Sequence, residues 1–137
     1  MRAVVDINIL ISALMVENSV PGRILVQWRR GNFELLTCAE HIEELRRATR
    51  YPKVRARIAP AMAGMLVNEI GRVAVALKRL PSVDRSTDPS DNYLLALAET
   101  GKAEYLVTGD KADLLTLEKH LGTRIVTARQ FADLLGI

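Results

Sequence analysis

Short apolar runs alternate along the chain with stretches of helical period. Ala3–Asp6 predicts a strand that ends on a carboxylate, and Ile7 to Met15 predicts a buried helix. Pro21 opens a second helix that Gly31 ends, the usual Pro-in, Gly-out asymmetry. Phe33–Thr37 predicts the next strand, and Ala39 to Arg50 a helix that Pro52 stops. Met62, Leu66, Ile70, Val73 and Leu77 share one face, which predicts a long helix from Pro60 to about Leu77. Leu80–Val83 predicts a third strand, and Pro89 to Glu99 a helix with Gly101 as its C-terminal stop. Glu104–Thr108 and Thr123–Val126 predict strands. Lys111–His120 and Ala128–Leu135 predict the last two helices.

Strands that alternate with helices require crossover connections. The expectation is an α/β protein with a mostly parallel sheet and helices on both faces. Ligands of such sheets bind outside the carboxyl ends of the strands. Three acidic segments fall there. Asp6 closes the first strand, Asp88 and Asp91 follow the third, and Asp110 follows the fourth. Asp91 precedes Leu94 and Leu95 on the face those leucines bury, where a lone carboxylate is costly. Helical phase puts Glu44 on the flank of the stripe Cys38, Ile42, Leu45, Ala48, while Glu40 and Glu43 point away from it. Each acid also reads as a helix cap, Asp88-Pro89-Ser90-Asp91 most clearly. If the segments meet at one edge, their carboxylates repel one another, and a hard divalent cation would relieve the conflict.

The 137 residues suit one compact domain spanning 1–137. A single cysteine, Cys38, excludes a disulfide scaffold and a cysteine-based zinc site. The apolar run Val4–Val16 is broken by Asp6 and Asn8. It is shorter than the ~20 residues a membrane span needs and lacks the marks of a signal peptide. The expectation is a cytoplasmic chain with no membrane partner.

The formal net charge is +3, from 19 basic and 16 acidic residues. The charges are unevenly placed. Arg46, Arg47, Arg50, Lys53, Arg55 and Arg57 fall within 46–57 with no acid among them. Such a strip suits a nucleic-acid backbone, and equally a solvated helix face.

No nucleophile elbow, phosphate-binding glycine loop or His-Glu-x-x-His motif is present. His41 and His120 read as packing or surface residues and Cys38 as a small buried hydrophobe. Acids without a side-chain nucleophile suit a metal-activated water attacking a phosphodiester.

Val4-Val5-Asp6-Ile7-Asn8-Ile9-Leu10, Glu43-Glu44-Leu45 with Tyr51-Pro52-Lys53-Val54, Asp88-Pro89-Ser90-Asp91-Asn92-Tyr93-Leu94, and Tyr105-Leu106-Val107-Thr108-Gly109-Asp110 stand in that order. Together they resemble the motifs of PIN-domain ribonucleases, in particular the bacterial branch of toxin components from toxin–antitoxin pairs. The resemblance covers nearly the whole chain. It implies a three-layer α/β/α sandwich, Mg²⁺ or Mn²⁺ as cofactor, and cleavage of single-stranded RNA. It makes Asp6, Glu44, Asp91 and Asp110 the catalytic and metal-holding acids, with Asn8, Asp88 and Thr108 in support. Arg46, Arg47, Arg50 and Lys53 become candidates for RNA contact. It also implies a small antitoxin partner and a homodimer through the Ala61–Leu77 helix. One position departs from the family. Ile7 stands where a Thr or Ser usually follows the first Asp, so a hydroxyl beside Asp6 is missing there. Two other readings are a degenerate fold that only binds RNA or protein and a phospho-acceptor receiver domain. A receiver needs an acidic pair after the first strand and a Lys on the last, whereas here Asp6 stands alone and Thr123–Val126 has no Lys.

Overall fold

The computed structural model describes residues 1–109 and 112–137. Among them lies a six-stranded sheet of β1 (Arg2–Val5), β2 (Glu34–Thr37), β3 (Val75–Ala76), β4 (Tyr105–Thr108), β5 (Lys119–His120) and β6 (Thr123–Thr127). The strand order is β3-β2-β1-β4-β6-β5, parallel throughout except for the β5–β6 hairpin. Helices α1 (Ile7–Met15) and α2 (Val20–Arg29) follow β1. Helices α3 (Ala39–Thr49), α4 (Pro52–Arg55) and α5 (Pro60–Val73) follow β2. Helix α6 (Asn92–Gly101) leads into β4, α7 (Ala112–Leu115) follows it, and α8 (Ala128–Leu135) closes the chain.

The period-two alternation of each strand divides the interior into two cores. Ala3, Val5, Leu35, Val107 and Val126 join the core formed with α1, α2, α5 and α8. Their sequence neighbours Val4, Leu36, Leu106 and Ile125 join the core under α6, with Leu94, Leu95 and Leu97. Strands buried on both faces read as continuous apolar runs, as in other parallel sheets. The result is a three-layer α/β/α sandwich. Among the described residues, no single helix is long and apolar enough to cross a membrane.

Three elements differ from the expected ones. The third strand is Val75–Ala76, paired with Leu36 and Thr37, not Leu80–Val83. The helical stripe ends at Val73, where Ala74 turns extended, and Leu77 N–H donates to the Thr37 carbonyl. Leu80 and Val83 pack against the second core from an irregular segment. Arg79 takes a left-handed φ of 57° there, and Pro81 brings no N–H for a ladder. Helix α3 does end ahead of Pro52, and Pro52 also opens a short helix, α4, that the pattern does not predict. Of the predicted helix Lys111–His120, the described residues form a helix only over Ala112–Leu115, and His120 lies in β5.

Gly101 also has a different reason from the expected one. It is the last residue of α6, and Lys102 supplies the left-handed cap at φ 52°. A Cβ on Gly101 would sit 2.3 Å from Leu36 Cδ1 and 2.7 Å from Leu77 Cδ1. Its missing side chain lets α6 lie close to β2.

The topology places the crevice. The chain moves from β1 outward through β2 and β3, then returns to the other side of β1 as β4. The connections therefore diverge at the carboxyl ends of β1 and β4, the place where open α/β sheets hold ligands.

Candidate active site

Asp6 sits at that switch point, only 1 % exposed. Its backbone N–H donates to the Val107 carbonyl at 2.8 Å, which ties it to β4. One carboxylate oxygen accepts the Asn8 N–H at 3.4 Å, as an N-cap of α1. The other accepts the Thr108 hydroxyl at 3.0 Å. Capping and site placement are thus two uses of one carboxylate. The supporting role expected of Thr108 has a concrete form, whereas Asn8 contributes its backbone and leaves its side chain exposed. Ile7 buries its side chain in the first core.

His41 holds the neighbouring elements. It is fully buried, with Nε2 2.8 Å from the Val5 carbonyl and Nδ1 2.8 Å from the Thr37 hydroxyl. A carbonyl can only accept, so Nε2 donates; in the neutral ring that burial favours, Nδ1 accepts from the Thr37 hydroxyl. Burial pushes its pKa below the usual histidine value, against the Val5 carbonyl and the Asp6 charge, which favour protonation. One side chain on α3 thus joins the ends of β1 and β2, one residue before Asp6.

The third acidic segment forms a 3₁₀ turn, Pro89–Asp91, ahead of α6. Asp88 caps it, accepting Ser90 N–H at 3.0 Å and the Ser90 hydroxyl at 2.7 Å. Asn92 Oδ1 accepts from the backbone N–H groups of Arg85 and Ser86, which fixes the approach. Asp91 is 5 % exposed. Carboxylate oxygens of Asp88, Asp91 and Asp113 lie within 4.8 Å of one another. Asp113, on α7, also accepts the Thr87 hydroxyl. Asp113 is not among the residues the sequence pattern singles out, and its place in the helix directly after β4 is the signal that could have found it. Three carboxylate donors this close, one of them buried, fit a hard divalent cation.

Glu44 is half-buried on α3 and pairs with Arg47. Tyr93 shows how these acids relate. Burial first, then the charges of Asp6, Glu44, Cys38 and Asp91, push the phenol far above its usual pKa. The fields of Asp6, Glu44 and Asp91 therefore reach a single half-buried hydroxyl, which stays protonated. Asp6 and Glu44 are not in the tight triad with Asp113 among the described residues. Asp110, the fourth expected acid, lies outside the described residues.

The basic strip divides. Arg46 pairs with Glu43 at 2.6 Å and Arg47 with Glu44, so acids one turn earlier partly neutralise it. Lys53 is exposed on α4. Cys38 is buried, and that burial raises its thiol pKa.

A parallel sheet with divergent connections and buried acids at its carboxyl edge defines an α/β protein with a metal-capable acidic centre. A family model for the PIN domain matches residues 2–112, and the chain belongs to that family of nucleases. No match was found among curated protein sequences.

Proposed function

We propose that this protein is a Mg²⁺- or Mn²⁺-dependent endoribonuclease that hydrolyses single-stranded RNA, acting as the toxin of a toxin–antitoxin pair. Asp91 carries the reading. It is buried, it belongs to the carboxylate triad with Asp88 and Asp113, and its charge, like those of Asp6 and Glu44, acts on the Tyr93 phenol. Asp91 would hold the metal together with Asp88 and Asp113, whose carboxylates lie close enough, and the family resemblance adds Asp6, Glu44 and Asp110 to the centre. When bound, such a cation activates water and screens charge developing on a phosphodiester. Thr108 orients Asp6 through its hydrogen bond, and His41 fixes the β1 end that carries it. Tyr93, its pKa raised by burial and by the charges of these acids, adds no negative charge to them.

Cleavage of single-stranded RNA with added Mn²⁺ tests the chemistry. Asp6→Asn and Asp91→Asn are expected to lower the rate by on the order of 10²–10⁴-fold, the contribution of a positioned acid–base group. Undiminished cutting by both folded variants would reject the assignment. The toxin role further expects growth arrest on overexpression, relieved by a small partner that covers the acidic centre. It also brings a second copy of the chain, paired through α5.

A further inference from the structure

On a flank of α3 away from Glu44, a cleft of about 250 Å³ opens between α3, α4 and α5. Arg46, Arg50 and Arg55 line it together with Thr49, Gly64 and Asn68. No carboxylate is among its lining residues. Arg46 holds Glu43 with Nη1 at 2.6 Å at the rim, while Arg50 and Arg55 have no ion-pair partner among the described residues. Arg46 on α3 and Arg50 at its C-cap are about one turn apart. At 3.6 residues per turn they lie about 200° and 240° around the helix from Glu44. Arg55 comes from α4, so guanidinium groups enter from two helices. Gly64 keeps the α5 wall low, since a Cβ there would meet nothing within 4 Å.

We propose that this cleft is a phosphate subsite, which holds a backbone phosphate of the RNA strand at a position separate from the acidic centre. The proposal rests on the nuclease reading and adds a second anchoring point to it. Guanidinium forks match phosphate oxygens in pairs, and a cleft without carboxylates attracts an anion. Its volume is smaller than the 300 Å³ or so at which small-molecule pockets begin. That suits one phosphate with its sugar, whereas a partner helix would need a long apolar groove. The assignment also redistributes the basic strip. Arg46, Arg50 and Arg55 serve the cleft, while Arg47 stays beside Glu44.

The test measures binding of a single-stranded oligouridylate at several salt concentrations, with Asp91→Asn as the background to prevent cleavage. Adding Arg50→Ala and Arg55→Ala is expected to weaken binding roughly tenfold. It should also lower the slope of log affinity against log salt by about 1.4, the loss of two counterion-releasing contacts on a single strand. Gly64→Glu, which puts a carboxylate in the cleft at a position with room for it, should weaken binding similarly. Arg23→Ala with Arg129→Ala removes as much charge elsewhere and should move the slope less. If RNA binds with an unchanged slope in the cleft variants, the subsite is wrong and the nuclease reading stands. If neither the parent protein nor the Asp91→Asn background binds RNA, both fall. Binding of a poly-glutamate peptide that is lost in the cleft variants, with RNA binding unmoved, would reassign the cleft to an acidic protein partner and overturn the proposal.

Discussion

A Cβ added at Gly22 would lie 2.1 Å from the Glu17 carbonyl oxygen and 3.0 Å from that of Val16. Both obstacles are backbone, so no side chain can rotate out of the way. They belong to the turn that joins α1 to α2, where Ser19 caps α2 by accepting the Gly22 N–H at 3.1 Å. Gly22→Ala must displace that turn or break the cap. Its expected cost is about 1–3 kcal/mol, the usual range for overpacking. Gly64 gives the contrast, being helical and open on its Cβ side. Gly64→Ala is expected to stabilise by up to about 1 kcal/mol, because Ala loses less backbone entropy in a helix. Urea unfolding of both variants checks the pair, and equal shifts would contradict the account. Glycines were legible in the sequence only as breaks. Gly31 does end a helix with a φ of 77°, but Gly101 allows a close approach, which depends on Leu36 and Leu77 from distant segments. Asp6 shows the same limit, since its position after a strand was readable but its bond to Thr108, 102 residues away, was not.

At the scale of elements, the strand–helix alternation was readable wherever an apolar run stood alone. It failed between Val73 and Asp88 because a two-residue strand has no period of its own. There the pairing of Val75 and Ala76 with β2 decides the structure, and Leu80 and Val83 bury themselves without a ladder. The His41 clamp belongs to this scale because it joins β1, β2 and α3 through one ring. Its pKa is lowered in the folded protein by burial, despite the favourable Asp6 charge, with the Tyr93 ring 6.5 Å away. The unfolded chain therefore binds a proton below about pH 6.5 that the folded chain does not. Stability should be complete above that pH and fall as the pH drops towards the lowered folded value. His41→Gln removes this titration. The expected result is a smaller loss of stability between pH 7 and pH 5 than in the parent, together with a lower stability at pH 7. Urea unfolding at each pH measures it, and parallel pH profiles would show that His41 is not the group responsible.

Across the whole molecule, Asp88 and Asp91 ahead of α6 meet Asp113 on α7 beyond β4, and no local pattern holds that information. The sequence supplied the acids and the alternation that predicts a parallel sheet. It did not supply Asp113, whose nearness to Asp88 and Asp91 depends on how α7 folds back after β4. A protein that gathers carboxylates in this way carries mutual repulsion that a divalent cation should relieve, so metal binding should appear as stability even without substrate. At a free Mn²⁺ concentration of about 100 times the dissociation constant, linkage gives roughly 2.7 kcal/mol. For a chain of this length that corresponds to a rise in Tm of roughly 8 °C. Asp91→Asn and Asp113→Asn should each lose most of the rise, while Glu40→Gln, an exposed acid on α3, should keep it. Thermal melts with and without Mn²⁺ decide the matter independently of any nuclease assay. A rise retained in both aspartate variants would put the ion elsewhere on the surface and detach the metal from the site at the sheet edge.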